Sequence, residues 1–396
     1  MTYREAYETW LKEFADDRAT VDELKAIAGD EKEIEDRFYT ELSFGTAGMR
    51  GVLGAGTNRM NLYNVRRATK GFADYINSQN PEYRQRGVVI AYDSRRMSPE
   101  FAKASALVLC HEGIHVYLFD ELRPVPILSY AVRHLHAIAG IVITASHNPP
   151  QYNGYKVYWE DGAQMPPEYA DQVLARIRAN RYEDAVEMDE AEAKAKGLLQ
   201  IIGSKEVDDD YIAQVKTLSV QPELMKTAGK ELKIVYTPLH GSGNKPVRRI
   251  LKEIGIENVY VVKEQELPDP NFSTVKVPNL TGKEWSNAQV QLNIKGLKHH
   301  LAESESDQTA ALVTYQYPRA GAEVPYGTTV YLYTDTYEGK HAEVPDVTGK
   351  SADFARQMLN AAGFNCTVEG SGTVQSQSEA PGSSVQQGTI VHLICG

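Results

Sequence analysis

AIAGIVITASHNPPQYNGYKVY, residues 137–158, decides how the first part of this chain is read. Its opening AIAGIVIT is a continuous apolar run, the pattern of a strand buried on both faces of a sheet. The run delivers Ser146 to its carboxyl end, where open α/β sheets place their ligands. His147, Asn148 and two prolines follow, a turn rich in hydrogen-bonding groups, and Lys156 comes ten residues after Ser146. A serine hydroxyl is a weak nucleophile until a base or a charged neighbour activates it, and His147 and Lys156 are of that kind. The same residues also read as a strand closing in a Ser/Asn/Pro turn. A loop histidine often only caps a turn, and a surface lysine is usually only solvated.

Outward from this stretch, apolar runs alternate with helical ones. GVVIAYD (87–93) and HVYLFD (115–120) read as strands, with helices over 100–112 and near 126–135. That alternation implies βαβ units and an α/β fold on a mixed or parallel sheet. A charged stretch over 167–216 reads as helical, and strand LKIVYTP, helix NKPVRRILKEI and strand NVYVVKE then begin a second α/β unit. At 396 residues the chain needs several cores, and its apolar fraction of 42% and charged fraction of 24% suit a globular protein. The net charge of −11 opposes binding to a nucleic-acid backbone or an anionic membrane, so neither is expected as a partner. No run of about 18 apolar residues occurs, and MTYREAYETWLKEFADD is charged and amphipathic, unlike a signal peptide; a cytoplasmic location is expected.

The composition changes near residue 276. Of the charged residues, 76 lie in the first 276 positions and 19 in the last 120. The later part contains an internal repeat: VPNLTGKEWSNAQVQLNIKG from 277 is echoed by VPDVTGKSADFARQMLNAAG from 344, and YQYPRAGAEVPYGTTVYLYT from 315 by SQSEAPGSSVQQGTIVHLIC from 376. Each unit reads as a Val-Pro opening, an amphipathic helix, a strand, a Pro/Gly turn and a final strand. Cys366 and Cys395 fall in strands of the second unit; they are expected as free thiols in the cytoplasm, a bridge between them stays open for an exported chain, and with Cys110 far away no metal-binding spacing exists. Both units resemble PASTA repeats, modules appended to penicillin-binding proteins and serine/threonine kinases. The resemblance implies two small α+β domains outside the cell that often recognise peptidoglycan.

TASHNP followed by NGYK resembles the phosphoserine loop of the alpha-D-phosphohexomutase family (phosphoglucomutase/phosphomannomutase, with a phosphopentomutase-like branch). The resemblance covers residues 1–276. It implies that Ser146 carries a phosphate given to one sugar hydroxyl while the phosphate already on the sugar is returned to the serine. His147 then lies beside the carrier, Asn148 belongs to the phosphate side, and Lys156 transfers a proton. The family also implies a sugar phosphate substrate, a sugar bisphosphate activator, and Mg²⁺ reached here only through the phosphate of Ser146. Upstream, the glycine-rich LSFGTAGMRGVLGAGTNRMN (42–61) reads by itself as either a flexible loop or an anion cradle, in which Arg50 could fork onto phosphate oxygens. FGTAGMRG matches the family's N-terminal active-site segment, which carries over Gly48 and Arg50. In YDSRRMSPEF (92–101), Ser98 and Pro99 read as the cap and first turn of a helix. Asp93 and Arg95 are either a structural pair or supports of the site. In TPLHGSGNKPV (237–247), His240 either reaches the cleft or orients the turn.

These readings imply phosphohexomutase domain I over 1–200 with the phosphoserine loop, a truncated domain II over 201–276, and PASTA repeats over 277–335 and 344–396. The family's metal loop, D-x-D-x-D-R, does not occur in the sequence, and DDD at 208–210 lacks the alternation that would aim three carboxylates at one ion, reading instead as a solvated helix start. The expected function is a phosphosugar mutase, incomplete as it stands. The alternatives are a non-catalytic fusion that binds cell-wall fragments, or an accidental join of two genes.

Overall fold

The computed structural model describes residues 2–45, 48–146, 148, 150–270, 272, 275–301, 311–324, 327–334, 341–370 and 372–396. The chain divides into two units, residues 1–15, 35–262 and 268–271 in one and 16–34, 263–267 and 272–396 in the other.

The first unit is built on six strands, β1 (Gly48–Val52), β2 (Val88–Tyr92), β3 (Val116–Phe119), β4 (Ala139–Ile143), β5 (Tyr152–Trp159) and β6 (Leu199–Ile202), in the order β1-β5-β4-β2-β3-β6. Neighbours β4, β2, β3 and β6 run parallel, and β5 is antiparallel to both β4 and β1. Side chains along β2 and β4 alternate between two apolar layers. Val88, Ile90, Ile141 and Ile143 face the core made with helices Leu62–Gln79, Ser98–His111 and Pro167–Ala179. Val89, Ala91 and Val142 face helix Val125–His134. Burial on both sides is why β4 reads as unbroken apolar sequence. The amphipathic N-terminus forms helix Tyr3–Glu13, whose Trp10 meets Phe14, Phe38, Tyr63 and Tyr182 edge to face.

The charged stretch over 167–216 is not all helical. Strand β6 interrupts it and pairs with β3, carrying the sheet across the boundary expected at residue 200. The middle residues of β6, Gln200 and Ile201, are exposed at the sheet's edge, so the apolar signal is short. The second α/β segment holds β7 (Lys233–Tyr236) and β8 (Asn258–Val261), a parallel pair joined through helix Asn244–Glu253. Val235 sits opposite Tyr260, and they are 69% and 54% exposed.

The second unit repeats one pattern twice. In the first repeat β9 (Val275–Lys276) and β10 (Lys298–Leu301) flank helix Trp285–Ile294, and β11 (Tyr315–Tyr317), β12 (Glu323–Val324) and β13 (Thr329–Tyr333) follow. Strand β9 pairs with β12, and β13 lies between β10 and β11. In the second repeat β14 (His341–Glu343) precedes helix Ala352–Ala361 and β15 (Asn365–Glu369), with β16 (Val374–Gln377), β17 (Ser384–Gln386) and β18 (Ile390–Cys395) after them. Strand β14 pairs with β17, and β18 lies between β15 and β16. The first repeat begins at β9, ahead of the expected start at 277, because Val275 belongs to its core. Register also rules out a bridge between Cys366 and Cys395: Cys366 sits opposite Val391, which places Cys395 about 13 Å further along β18, far beyond disulfide reach.

The two repeats are fastened by Asn365. Its Nδ2 donates to the carbonyls of Thr329 (3.1 Å) and Gly388 (2.9 Å), and its Oδ1 accepts from the Thr329 N–H (3.0 Å). Ile390 of the second repeat packs on the core of the first. We expect Asn365→Leu to lower stability by about 2–3 kcal/mol, since it strands a buried backbone N–H and two carbonyls. Urea unfolding of the whole chain followed by tyrosine emission checks this, and an unchanged midpoint would show that the clamp carries no weight. Among the described residues no helix is long and apolar enough to cross a membrane.

Candidate active site

Strand β4 ends in a turn that begins at Thr144. Ser146 is exposed and has φ of 58°, a left-handed conformation that non-glycine residues adopt at a cost. Both of its backbone poles are held. Its N–H donates to Thr144 Oγ1 at 3.0 Å, and its carbonyl accepts from an Arg95 terminal nitrogen at 2.9 Å. Arg95 also donates to the carbonyls of Asn148 (2.6 Å) and Tyr152 (3.0 Å), with its side chain only 1% exposed.

Asp93 organises the other end of this network. Its Oδ2 accepts from Thr144 Oγ1 at 2.6 Å and lies 3.2 Å from Arg95 Nε, while its Oδ1 accepts from the Arg95 N–H (3.0 Å) and Ser98 Oγ (2.8 Å). Ser98 therefore does not cap its helix. The cap position is Met97, and the Ser98 hydroxyl is turned to Asp93 and to Asn153 Nδ2, which donates to it at 2.9 Å.

Strand β5 brings the NGYK segment beside the turn. A side chain at Gly154 would put its Cβ 2.6 Å from the Thr144 carbonyl oxygen and 3.0 Å from that of Met49, so only glycine lets β5 pass between β4 and β1. Gly48 pairs with Lys156 across β1 and β5 at φ of 143°, and a Cβ there would lie 1.9 Å from the Tyr155 carbonyl oxygen. Arg50, two residues along the edge strand and itself exposed, donates to Asn148 Oδ1 at 3.1 Å. Burial lowers the pKa of Lys156, the positive charges of Arg50 and Arg95 lower it further, and Asp93 opposes them.

His240 arrives from the second α/β segment. It is buried at φ of 58°, and its carbonyl accepts from Ser94 Oγ at 2.8 Å, which fastens the 237–243 turn to the residue between Asp93 and Arg95. His147 lies outside the described residues. The structure thus brings Ser146, Asn148, Arg50, Lys156, Asp93 and Arg95 together, with Gly48 in the backbone beneath and His240 at the margin. Thr144 and Asn153 escaped the sequence reading, although both stand inside its two most informative segments. A threonine two residues before a strand-end turn residue is the signal of a hydroxyl-closed turn.

The three carboxylates of 208–210 are each engaged elsewhere. Asp208 pairs with Arg123 at 2.9 Å, Asp209 with Arg249 at 2.7 Å, and Asp210 lies 3.4 Å from His134 Nε2. Asp208 and Asp209 thus form ion pairs around the start of helix Asp209–Lys216, and the run is more than a solvated helix start.

A strand-end serine turn on this mixed sheet, followed by a second α/β segment and two β-rich repeats, defines a class of protein. Residues 41–184 match the model of phosphoglucomutase/phosphomannomutase α/β/α domain I, residues 209–303 that of domain II, and residues 275–336 and 342–395 that of the PASTA domain. The front part of the chain belongs to the phosphoglucomutase/phosphomannomutase family, and the rest is a pair of PASTA domains. The domain II and first PASTA matches overlap over 275–303, where the structure forms β9, helix Trp285–Ile294 and β10 of the first repeat.

Among curated relatives, the phosphopentomutase of Mus musculus is 37% identical over 259 residues, covering 63% of this chain and 41% of its own. The phosphoglucomutase of Staphylococcus haemolyticus is 39% identical over 261 residues, covering 65% of this chain and 45% of its own. Among solved structures, a phosphoglucomutase/phosphomannomutase family protein of Burkholderia thailandensis aligns at 23% identity with a TM-score of 0.44, covering 58% of this chain and 45% of that one. The chain spans under half the length of the curated relatives it matches.

Proposed function

We propose that Ser146 accepts a phosphoryl group from a hexose or pentose bisphosphate, the half-reaction of a phosphosugar mutase, in the cytoplasm. The observation that carries this reading is the exposed Ser146 at the carboxyl end of β4, its carbonyl held by Arg95, with Arg50 bonded to Asn148 two residues on and Lys156 of β5 within electrostatic reach of Arg50 and Arg95. In the transfer, the bond from phosphorus to the sugar oxygen breaks, a bond from phosphorus to Ser146 Oγ forms, and the serine proton passes to the departing sugar oxygen. Arg50 and Asn148 face the incoming phosphate. Lys156, whose lowered pKa makes its proton easier to give up, serves the proton transfer. Arg95 and Asp93 hold the turn, Gly48 admits the close strand pairing, His147 stands next to the acceptor, and His240 orients the second segment.

The family implies Mg²⁺ as well. Among the described residues no group of three or more His, Cys, Asp or Glu side chains could hold a metal ion. The described side chains thus offer no cluster of their own for an ion, and the proposed transfer draws on the chain's own cations.

Exposure of the chain to glucose 1,6-bisphosphate should add one phosphoryl group, and Ser146→Ala should add none. An equal mass gain in Ser146→Ala, read by intact mass spectrometry, would remove the assignment. A second reading, recognition of peptidoglycan fragments by the repeats, is favoured by the two PASTA matches. The change of composition at the seam also fits a join of two genes, which sequencing the locus across codon 276 decides.

A further inference from the structure

We propose that Thr144 is a positioning residue for the phosphate acceptor: its hydroxyl, oriented by Asp93, locks Ser146 in the left-handed conformation that presents the side chain to a sugar phosphate. The inference rests on the reading of Ser146 as that acceptor.

A threonine hydroxyl has one proton and two lone pairs. The Thr144 proton goes to Asp93 Oδ2 at 2.6 Å, which leaves the lone pairs to face the Ser146 N–H at 3.0 Å. Asp93 cannot turn away, because Arg95 Nε, the Arg95 N–H and Ser98 Oγ all converge on its two oxygens. The acidic side of the ion pair thus fixes the N–H of Ser146 through Thr144. The basic side fixes its carbonyl directly, through an Arg95 terminal nitrogen at 2.9 Å.

A residue at positive φ persists only where its surroundings over-determine it. At Ser146 the two determinants come from one Asp–Arg pair at the end of β2, and Thr144 is the link that carries the first of them. The neighbouring β5 backbone supports the same geometry, since the Thr144 N–H donates to the Gly154 carbonyl at 3.0 Å. Thr144 itself is 7% exposed, and its hydroxyl closes the turn from beneath while Ser146 stands exposed above it. Group transfer to an oxygen held in one direction is faster than transfer to one that samples several.

The test compares Thr144→Val, which keeps the branched shape and removes both hydrogen bonds, with Thr144→Ser, which keeps the hydroxyl. Two quantities are followed in the full chain: the rate at which saturating glucose 1,6-bisphosphate labels Ser146, and hydrogen exchange at the Ser146 amide. Thr144→Val should label about tenfold to a hundredfold more slowly than the parent chain and exchange the Ser146 amide at least about tenfold faster. Thr144→Ser should recover most of both, and the melting temperatures of all three should agree within a few degrees. Labelling of Thr144→Val at the parent rate would overturn the inference and leave Ser146 as acceptor. Equal slowing in both variants would also overturn it, because the hydroxyl would then not be the cause. Absence of label from the parent chain would instead overturn the reading of Ser146 itself.

Discussion

Purified as these 396 residues, the protein is expected to convert glucose 1-phosphate to glucose 6-phosphate at no measurable rate, even with Mg²⁺ and a bisphosphate activator. A complete cycle asks for more than an acceptor serine. The bisphosphorylated sugar has to reorient while still enclosed, so that its second phosphate meets Ser146, and charge on the transferring phosphoryl group has to be neutralised throughout. Among the described residues the candidate site draws its cations from β1, β5 and the loop after β2. Residues 275–301 form β9, helix Trp285–Ile294 and β10 of the first repeat, and Asp208 and Asp209 are committed to ion pairs with Arg123 and Arg249. Positioning is worth roughly 7–11 kcal/mol of barrier, so its loss should slow the cycle by about five orders of magnitude or more. A coupled assay reading NADPH formation decides the point. Robust turnover abolished by Ser146→Ala would contradict this expectation and show that the chain supports the whole cycle as it stands.

Replacing Arg95 with alanine should be strongly destabilising to the first unit. The guanidinium is buried, paired with Asp93, and donates to the carbonyls of Ser146, Asn148 and Tyr152. Its removal leaves three carbonyls without their donor and the Asp93 carboxylate without its cation, with only Thr144, Ser98 and the backbone N–H of residue 95 still donating to it. Breaking a buried pair in this way typically costs about 3–5 kcal/mol. Arg95→Lys should recover only part of the loss, because an ammonium cannot span the same acceptors as the planar fork. Urea unfolding followed by tryptophan emission measures both variants. A loss below about 1 kcal/mol for Arg95→Ala would mean that the turn is held by its backbone alone.

Much of this was legible in the sequence for identifiable reasons. Strand β4 is buried on both faces, so residues 137–144 read as an apolar run, and the polar turn after it marks where the run meets solvent. The repeats were legible because two copies of one pattern corroborate each other. Three-dimensional facts were not. Strand β6 pairs with β3 across some eighty residues and exposes its two middle side chains, so a local reading merges it with the charged helices around it. Ser98 looked like a cap because it precedes a proline at a helix start, yet its hydroxyl is drawn to the stronger acceptor Asp93. Thr144 was visible but had no assigned role, since its importance depends on where the end of β2 places a carboxylate.

The most direct test follows two products of one reaction after glucose 1,6-bisphosphate is added to the chain: phosphate on the protein, mapped by peptide sequencing in a mass spectrometer, and glucose monophosphate in solution. The account predicts a single event, with phosphate on Ser146 rising to at most one equivalent, an equal amount of glucose monophosphate released, and then no further release. Phosphate mapped to any other residue, or continued release of glucose monophosphate after Ser146 is filled, would contradict it.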